Sequence, residues 1–449
     1  MTGQLAPRIT VLGTGYLGAT HAAGMAELGF EVLGFDVDAA KVEALRAGRV
    51  PFWEPGLEPV LRKHVEAGTL RFTTDYDEVA EFGDVHFVCV GTPQRGDGLG
   101  ADMSQVETAI GGILPGLRRP ALVVGKSTVP VGTAATLART LSAGAPAGAD
   151  VTLVWNPEFL REGHALEDTL RPDRLVFGLD GADPVRAARA ESLLRSVYAR
   201  TIEAGTPVVL TDFPTAELVK VSANAFLATK ISFINAVAEI CDIVGADVTK
   251  IADAIGYDDR IGRKFLNAGL GFGGGCLPKD IRAFMSRAGE LGAADSLAFL
   301  REVDAVNMRR RAHTVELTRQ LVGGSLLGTR VAVLGAAFKP ESDDVRDSPA
   351  LNVAGQLQLA GAHVSVYDPR ANANAQRYFP TLAYADSVDA ACLRADIVLH
   401  LTEWAEFRDV DPAALKTIVS TPVVIDARNC LDADAWRAAG WTYRGLGRP

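Results

Sequence analysis

Short apolar runs alternate with longer mixed stretches along the first half of the chain. The mixed stretch at residues 16–28 directly follows the first run and has apolar residues at helical spacing. Buried apolar strands separated by helices predict a parallel, doubly wound sheet. The predicted strands are residues 9–13, 31–36, 84–93, 121–130 and 151–159.

The middle of the chain is predicted to be helical. Residues 215–244 have apolar positions at helical spacing and contain no proline, which predicts one long helix. More helix is expected near Ile251 and over residues 281–308.

The last third repeats the opening pattern. Its predicted strands are residues 329–335, 363–369, 395–404 and 422–429. As in the opening pair, a glycine follows the first of them (Gly335) and an aspartate lies at the end of the second (Asp368). The predicted fold class is therefore α/β, with two Rossmann-like, doubly wound parallel-sheet domains joined by a central long-helix domain.

Length and charge limit the classes of function. A chain of 449 residues is too long for one ordinary core, so two or three domains are expected. A formal net charge of −10 argues against nucleic acid or an anionic membrane as a partner. The first residues show no signal-peptide pattern and no run of about 18 apolar residues occurs, so a cytoplasmic location is expected.

The five cysteines include no C-x-x-C pair, so neither a disulfide framework nor a metal site is expected. Cys89, Cys241, Cys392 and Cys430 lie in or beside apolar runs and are predicted to act as small hydrophobic residues.

A glycine fingerprint follows the first predicted strand. Its glycines, Gly13, Gly15 and Gly18, permit a tight turn and close approach of a pyrophosphate to the start of the next helix. Asp36, 21 residues after Gly15, ends the second predicted strand, where a carboxylate can accept both ribose hydroxyls and repel a 2′-phosphate. This arrangement predicts NAD and not NADP, with Lys41 either near the adenosine ribose or on the solvated surface. The last third lacks the fingerprint, so a second dinucleotide is not expected there.

A second glycine-rich loop lies at residues 271–280 and reads Gly-Phe-Gly-Gly-Gly-Cys-Leu-Pro-Lys-Asp. Its second half contains Cys276, Pro278, Lys279 and Asp280. Pro278 suits the first turn of a helix, whose dipole, together with Lys279, would stabilise a thiolate at Cys276. Asp280 lies four residues further on and is expected on the same helix face. A cysteine nucleophile beside a carboxylate, in a protein that binds NAD, suggests oxidation through a thiohemiacetal and a thioester.

This loop, together with GTGYLG, STVP, NPEFLREG and AFKP, resembles the UDP-glucose/GDP-mannose 6-dehydrogenase family over essentially the whole chain. The resemblance implies that Cys276 is the nucleophile and that Lys220 and Asn224, four apart on the long helix, hold an oxyanion and a water. It further implies that Asp280 acts on that water in general base catalysis. Thr128 and Glu158 would position water and protons during hydrolysis of the thioester.

The resemblance also implies binding residues for both ligands. NAD would be contacted by Gly13, Gly15, Tyr16, Leu17, Gly18, Asp36, Lys41, Val90, Thr92, Thr128, Glu162, Lys279 and Arg346. The nucleotide-sugar would be contacted by Glu158, Phe159, Leu160, Glu162, Lys220, Asn224, Phe265, Leu266, Phe272, Gly273, Cys276, Phe338 and Lys339. Arg260 would reach the pocket of a neighbouring subunit, and Arg428 would approach the diphosphate or sugar end. The sequence departs from some members at Asn267, where they carry a basic residue, and at Ala427, where others carry glycine.

The expected domains are an NAD-binding Rossmann domain over residues 1–205, a central helical dimerisation domain over 206–320 and a nucleotide-sugar-binding Rossmann-like domain over 321–449. The expected reaction is NAD-dependent oxidation of UDP-glucose to UDP-glucuronate by a homodimer or higher even oligomer. GDP-mannose and dTDP-glucose are alternative substrates, and an N-acetylhexosamine is disfavoured because Lys279 replaces an apolar residue of that branch. A catalytically silent NAD-binding regulator is the alternative from another class, against which the set Cys276, Lys220, Asn224 and Asp280 argues.

Overall fold

A computed structural model describes residues 6–448. Residues 1–5 and residue 449 lie outside the described residues. The expectation about a signal peptide concerns the first of these, and the predicted third domain ends at the last. The chain divides into two compact units. Unit 1 comprises Met1–Ala223 and Arg282–Arg287, and unit 2 comprises Asn224–Ile281 and Ala288–Pro449. The division into three domains stays a prediction.

Unit 1 contains an eight-stranded sheet whose strand order is β3-β2-β1-β4-β5-β6-β7-β8. Its strands are β1 Ile9–Leu12, β2 Val32–Phe35, β3 Leu70–Thr73, β4 Val85–Val88, β5 Ala121–Gly125, β6 Val151–Trp155, β7 Leu175–Leu179 and β8 Val208–Asp212. Neighbouring strands are parallel except for β6 and β7, which pair antiparallel through Trp155 and Gly178. Side chains that alternate along β1 enter different apolar cores, since Ile9 and Val11 pack in one and Leu12 packs in the other. Helices therefore cover both faces of this sheet.

Unit 2 contains a six-stranded parallel sheet whose order is β11-β10-β9-β12-β13-β14. Its strands are β9 Arg330–Leu334, β10 His363–Tyr367, β11 Ala383–Tyr384, β12 Ile397–His400, β13 Val423–Asp426 and β14 Thr442–Gly445. This is the order of the first six strands of unit 1, in which the third, second and first strands precede the fourth, fifth and sixth. The predicted fold class, with two Rossmann-like sheets and a long central helix, is confirmed.

The long helix predicted for residues 215–244 is α10, which spans Phe213–Val244 and contains 32 residues. The helices are α1 Tyr16–Glu27, α2 Ala39–Arg46, α3 Leu57–Glu66, α4 Tyr76–Phe82, α5 Ser104–Ile113, α6 Thr133–Gly144, α7 Ala165–Leu170, α8 Pro184–Val197, α9 Ala199–Glu203, α10, α11 Val248–Gly256, α12 Leu277–Glu290, α13 Phe299–Leu321, α14 Pro349–Leu359, α15 Asn372–Tyr378, α16 Val388–Cys392, α17 Ala405–Arg408, α18 Pro412–Lys416 and α19 Ala433–Ala438. Short 3-10 helices lie at Leu114–Gly116, Gly148–Asp150 and Ala294–Leu297.

The structure differs from the predicted elements in three ways. The helix expected over residues 281–308 is divided into α12 and α13. Strands β3, β7, β8, β11 and β14 were not predicted, and four of them, all except β7, are sheet edges. Edge strands are short and partly exposed, so their composition carries a weaker apolar signal. Finally, several predicted strands extend too far at their carboxyl ends, where the structure has loops.

Candidate functional site

The glycine fingerprint forms the turn between β1 and α1. Gly13 has φ +86°, and a Cβ there would lie 2.7 Å from Cγ1 of Val90. A Cβ on Gly18 would lie 1.7 Å from the carbonyl oxygen of Gly13, so both positions require glycine for packing. A Cβ on Gly15 would meet no atom within 4 Å. The protein itself therefore does not demand glycine at Gly15, and open space there fits the close approach of a pyrophosphate.

Asp36 lies directly after β2, as predicted, and is 6% exposed. Its Oδ2 accepts hydrogen bonds from the Thr14 backbone N–H at 2.8 Å and from the Lys41 Nζ at 2.8 Å, and its Oδ1 accepts from the Asp38 N–H at 3.1 Å. Burial alone would raise the pKa of Asp36, but Lys41 and the backbone donors of Asp38 and Thr14 hold the pKa below its ordinary value. Lys41 is therefore the counterion of the predicted ribose-binding carboxylate.

Loops after β4 and β5 bring together three of the predicted NAD-binding residues. The Ser127 hydroxyl donates to the Val90 carbonyl oxygen at 2.7 Å, and the Thr92 hydroxyl donates to the Thr128 carbonyl oxygen at 2.7 Å. Ligands of open α/β sheets bind at the carboxyl ends of the strands, which is where these loops lie.

Glu158 and Lys220 form an ion pair in unit 1. Their Oε1 and Nζ atoms are 3.1 Å apart, and their side chains are 13% and 5% exposed. The Glu158 Oε2 accepts a hydrogen bond from the Leu160 N–H at 2.5 Å, and the Lys220 Nζ lies 5.5 Å from the ring centroid of Phe159. The structure thus brings together four residues that the resemblance had assigned to chemistry and substrate binding.

A buried polar cluster behind Glu158 was missed in the sequence. The Lys126 Nζ donates to the Asn156 Oδ1 at 3.0 Å, and the same oxygen accepts from the Tyr198 hydroxyl at 2.9 Å. With Glu158 and His21, these side chains line a cavity of about 40 Å³. Burial lowers the pKa of Lys126 to about 8, opposed by Cys89 and Glu158. Lys126 directly precedes the STVP motif and Asn156 begins the NPEFLREG motif, so the sequence signal for these two residues lay at those motifs.

In unit 2, Cys276 directly precedes α12 and is exposed. The Asp280 N–H donates to the Cys276 carbonyl oxygen at 3.0 Å, which places the thiol at the first helical turn. Asp280 is 2% exposed and accepts hydrogen bonds from the Asn224 Nδ2 and the Lys279 Nζ, both at 2.6 Å. The predicted carboxylate is thus already bound by the predicted amide, and Lys279 neutralises its charge.

The glycines before Cys276 allow neighbouring side chains to approach. Gly274 has φ +83°, and a Cβ there would lie 2.7 Å from the Phe338 ring. A Cβ on Gly275 would lie 2.4 Å from the guanidinium carbon of Arg346. Phe338 and Arg346, which the resemblance assigns to substrate and to NAD, therefore lie against the cysteine loop.

Arg428 connects this loop to the carboxyl edge of the unit 2 sheet. Its guanidinium donates to the carbonyl oxygens of Gly271 at 2.9 Å and Leu401 at 2.7 Å, and it pairs with Glu403 at 3.2 Å. The side chain of Asn307 also fixes the loop, because it accepts from the Phe272 N–H at 2.7 Å and donates to the Phe272 carbonyl at 2.9 Å.

The remaining predicted substrate residues differ in exposure. Leu266 is buried, whereas Phe265 is 41% exposed and has φ +65°, a conformation that is strained for an aromatic residue. The Arg260 side chain is 90% exposed and pairs with Asp258 at 2.6 Å. Asn267 accepts a hydrogen bond from Arg263 at 2.7 Å, so a basic group is present beside the position where some members carry one.

By unit, the predicted residues form two sets. Unit 1 carries Gly13, Gly15, Tyr16, Leu17, Gly18, Asp36, Lys41, Val90, Thr92, Thr128, Glu158, Phe159, Leu160, Glu162 and Lys220. Unit 2 carries Asn224, Arg260, Phe265, Leu266, Phe272, Gly273, Cys276, Lys279, Asp280, Phe338, Lys339, Arg346 and Arg428.

Unit 2 also carries a counterpart of Asp36 at the end of β10. The Oδ2 of Asp368 accepts from the Ala336 N–H at 2.8 Å and the Trp404 Nε1 at 3.1 Å, and its Oδ1 accepts from the Arg370 and Ala371 N–H groups at 2.9 and 2.8 Å. Main-chain and indole donors thus surround this carboxylate.

The other cysteines have apolar or closed surroundings. Cys89, Cys241 and Cys392 are buried, in agreement with their predicted role, and burial raises the pKa of Cys89 to about 12. Cys430 is half-buried and lies near Asp426, whose oxygens bind His400, Leu431 and other donors. Between residues 6 and 448, no helix is long and apolar enough to cross a membrane.

Comparison with known proteins matches the chain to one family in three parts. Models of the UDP-glucose/GDP-mannose dehydrogenase family match with their NAD binding domain over residues 7–202, their central domain over 214–309 and their UDP binding domain over 332–433.

Individual relatives match over nearly the full length. A UDP-glucose 6-dehydrogenase from Rhizobium meliloti is 43% identical, covering 98% of this chain and 100% of the relative. The UDP-glucose 6-dehydrogenase YwqF of Bacillus subtilis is 38% identical, covering 98% of this chain and 97% of the relative. A solved UDP-glucose dehydrogenase from Pyrobaculum islandicum has a TM-score of 0.90 at 38% identity and covers 100% of this chain and 99% of that one. The chain therefore belongs to the UDP-glucose/GDP-mannose dehydrogenase family of oxidoreductases and uses NAD as its cofactor.

Proposed function

We propose that the chain oxidises the C6 alcohol of UDP-glucose to the acid, UDP-glucuronate. One alcohol, two NAD and one water give one carboxylic acid, two NADH and two protons. The UDP binding domain of the family supports a nucleotide-sugar, and the similarity to UDP-glucose 6-dehydrogenases supports UDP-glucose over GDP-mannose or dTDP-glucose. The cytoplasmic location of the protein stays a prediction.

The observation that carries the proposal is the exposed thiol of Cys276 at the start of α12. In the proposed reaction, the Cys276 Sγ adds to the C6 aldehyde and forms a thiohemiacetal. Oxidation of this adduct gives a thioester, which water hydrolyses to the acid with release of the thiolate. The helix N-terminus favours that thiolate as nucleophile and as leaving group.

NAD, when bound, supplies the acceptor for the two hydrides, one from the alcohol and one from the thiohemiacetal. Its proposed holders are the glycine turn with Tyr16 and Leu17, the pair Asp36 and Lys41, the loop residues Val90, Thr92 and Thr128, and Glu162, Lys279 and Arg346. The donor set fits NAD because Asp36 presents a carboxylate where NADP would place a phosphate.

The assisting residues are proposed from their chemistry and their contacts. Lys220 and Asn224 would donate hydrogen bonds to the oxyanion and to the hydrolytic water. Asp280 would accept a proton from that water, while Thr128 and Glu158 would orient it. Preorganised donors of this kind stabilise charge that develops in the transition state.

The proposed assembly is a dimer or a higher even oligomer. α10 presents Phe226, Phe233 and Ile240 to solvent, with 67%, 55% and 59% exposure. They are spaced by seven residues along a helix whose other side is buried, so they form one apolar stripe. Such a stripe is typical of a self-complementary interface. In this assembly Arg260 would serve the pocket of the neighbouring subunit.

Replacement of Cys276 tests the covalent mechanism. Cys276→Ala should reduce formation of UDP-glucuronate by about 10³-fold or more, with binding of NAD and UDP-glucose retained. Cys276→Ser should accumulate a covalent ester that intact-protein mass spectrometry detects, because an alkoxide is a poorer leaving group than a thiolate. The wild type should form two NADH per UDP-glucose with no free aldehyde. Acid formation by the alanine variant at a rate near that of the wild type contradicts the mechanism.

A panel of nucleotide-sugars separates the alternatives. NADH absorbance is followed after mixing the wild type with NAD and UDP-glucose, GDP-mannose or dTDP-glucose. The proposal expects the highest kcat/KM with UDP-glucose. A higher kcat/KM with GDP-mannose or with dTDP-glucose supports that nucleotide-sugar as the substrate. Binding of NAD without turnover of any of the three supports the catalytically silent regulator.

A further inference from the structure

Glu54 is a buried carboxylate that the assigned residues do not include. It lies in the Trp-Glu-Pro-Gly segment before α3 and is 6% exposed. Both of its oxygens accept hydrogen bonds. Oε2 accepts from the Tyr16 hydroxyl, and it also accepts from the Gly163 N–H, at 2.7 Å. Oε1 accepts from the Ala165 N–H at 2.7 Å. A buried charge is tolerated when donors compensate it in this way.

Tyr16 contributes the fingerprint side of this contact. It is the first residue of α1 and directly follows Gly15, beside which the pyrophosphate is expected. Its hydroxyl donates to Glu54 and also accepts from the Gly163 N–H at 2.7 Å, and its ring packs against Phe52 with centroids 4.9 Å apart. The orientation of the Tyr16 side chain is therefore fixed at both its ring and its hydroxyl.

On its other side, Glu54 binds the segment of residues 158–165 through the N–H groups of Gly163 and Ala165. Within this segment, Glu158 accepts from the Leu160 N–H at 2.5 Å, and Arg161 binds Asp168 through its backbone N–H at 2.8 Å and its Nε at 3.0 Å. These contacts tie the backbone of residues 158–161 to neighbouring side chains, and Gly163 lies two residues further along the same segment.

We propose that Glu54 and Tyr16 are positioning residues that couple the binding of NAD to the binding of the nucleotide-sugar. The inference rests on the proposed function, in which the turn before Tyr16 holds NAD and residues 158–162 contact the nucleotide-sugar. A ligand that favours one position of the connected Tyr16, Glu54 and Gly163 favours the same position for the second ligand. Coupling of this kind is reciprocal, so each ligand strengthens the other by the same factor.

Calorimetric titration of UDP-glucose with and without saturating NADH measures the coupling. NADH is already reduced, so no turnover interferes. For the wild type, NADH should tighten UDP-glucose binding by about 10-fold or more, which lies within the usual range of coupling between two sites. Tyr16→Phe keeps the ring on Phe52 and removes the hydroxyl, and it should reduce the coupling to less than about 3-fold. Because Tyr16 is a proposed NAD residue, NADH is kept saturating for each variant, so that a weaker affinity for NADH does not by itself change the measured coupling.

Two further variants complete the experiment. Glu54→Gln should also reduce the coupling, and the double variant should lose no more than the more affected single variant, because both substitutions break one contact. Glu58→Gln is the matched control, since Glu58 pairs with Arg62 on the exposed side of α3, and it should keep the wild-type coupling.

The outcomes separate the inference from the function on which it rests. Wild type that binds both ligands without coupling, or Tyr16→Phe with unchanged coupling, overturns the inference and leaves the proposed function intact. Wild type that binds NADH but no UDP-glucose refutes the proposed substrate and the inference with it. Should Glu54→Gln fail to fold, Tyr16→Phe and the control still decide.

Discussion

Asp36 has one predicted and one observed task at the end of β2. Its carboxylate is predicted to bind the ribose of NAD, and its Oδ2 accepts the Thr14 N–H within the fingerprint. The spacing from Gly15 predicts the first task because the strand and turn of a dinucleotide fold fix that distance. The second task, and the ion pair with Lys41, depend on side-chain conformations that spacing does not determine. For Lys41 the sequence left a solvated surface position open, whereas its Nζ is bound to Asp36.

Replacement of Asp36 should weaken the selectivity for NAD. Asp36→Ser removes the charge that repels a 2′-phosphate and leaves Lys41 able to attract it. The ratio of kcat/KM for NAD to that for NADP should fall by at least about 10-fold, since a charge-assisted hydrogen-bonded pair is worth about 1.5–3 kcal/mol. Steady-state kinetics with both cofactors measures the ratio. Asp38→Ser, which changes an adjacent helix-capping carboxylate, is the control, and an unchanged ratio in Asp36→Ser contradicts the assignment.

The N-terminus of helix α6 is capped by a side chain from a different helix, α10. It follows the loop that carries Thr128, and its N-cap residue, Gly132, has no side chain to cap the helix. Glu217 of α10 replaces the missing cap, accepting from the Gly132 N–H at 2.7 Å and the Ala134 N–H at 2.6 Å. A sequence signal for capping is local. A cap supplied from 85 residues away could not be predicted from the pattern around Gly132.

Loss of this cap should destabilise unit 1. Glu217→Ala leaves the buried N–H of Ala134 and the partly buried N–H of Gly132 without their acceptor, so the free energy of unfolding should fall by about 1–3 kcal/mol. Glu217→Gln retains one amide oxygen as acceptor and should lose less. Urea unfolding followed by circular dichroism measures both, and a loss below about 0.5 kcal/mol for the alanine variant shows that water replaces the cap.

Across the whole molecule, repetition was the most informative signal. Repeated apolar runs predicted two doubly wound sheets, but not their strand order, and the sheet edges were missed because β8 and β14 are partly exposed. The cysteine loop could be recognised because its residues are contiguous, and the roles of those residues stay predictions. The contact of Tyr16, Glu54 and Gly163 joins residues from three distant segments, which no local pattern reveals.

Disruption of the apolar stripe on α10 should dissociate the proposed oligomer. Phe233→Arg places a charge in the centre of the stripe, so its dissociation constant should rise by about 100-fold or more. Light scattering coupled to gel filtration at micromolar concentration measures the mass. Leu359→Arg is the control, because Leu359 is 89% exposed on α14, away from the stripe, and should leave the mass unchanged. A wild type that is monomeric at this concentration rules out the oligomer.

Asp36 and Asp368 follow the second strand of their sheets, and they differ in how easily their hydrogen-bond partners can be exchanged. Asp36 is balanced by the flexible side chain of Lys41, which a ligand can displace and which a single substitution can alter. Asp368 is enclosed by the backbone N–H groups of Ala336, Arg370 and Ala371, which belong to the loops themselves, and by the indole of the buried Trp404. The carboxylate in unit 2 therefore serves to hold its own loop. Substitution of Asp36 or Lys41 can alter the predicted cofactor preference, whereas substitution of Asp368 would disturb the loop it holds.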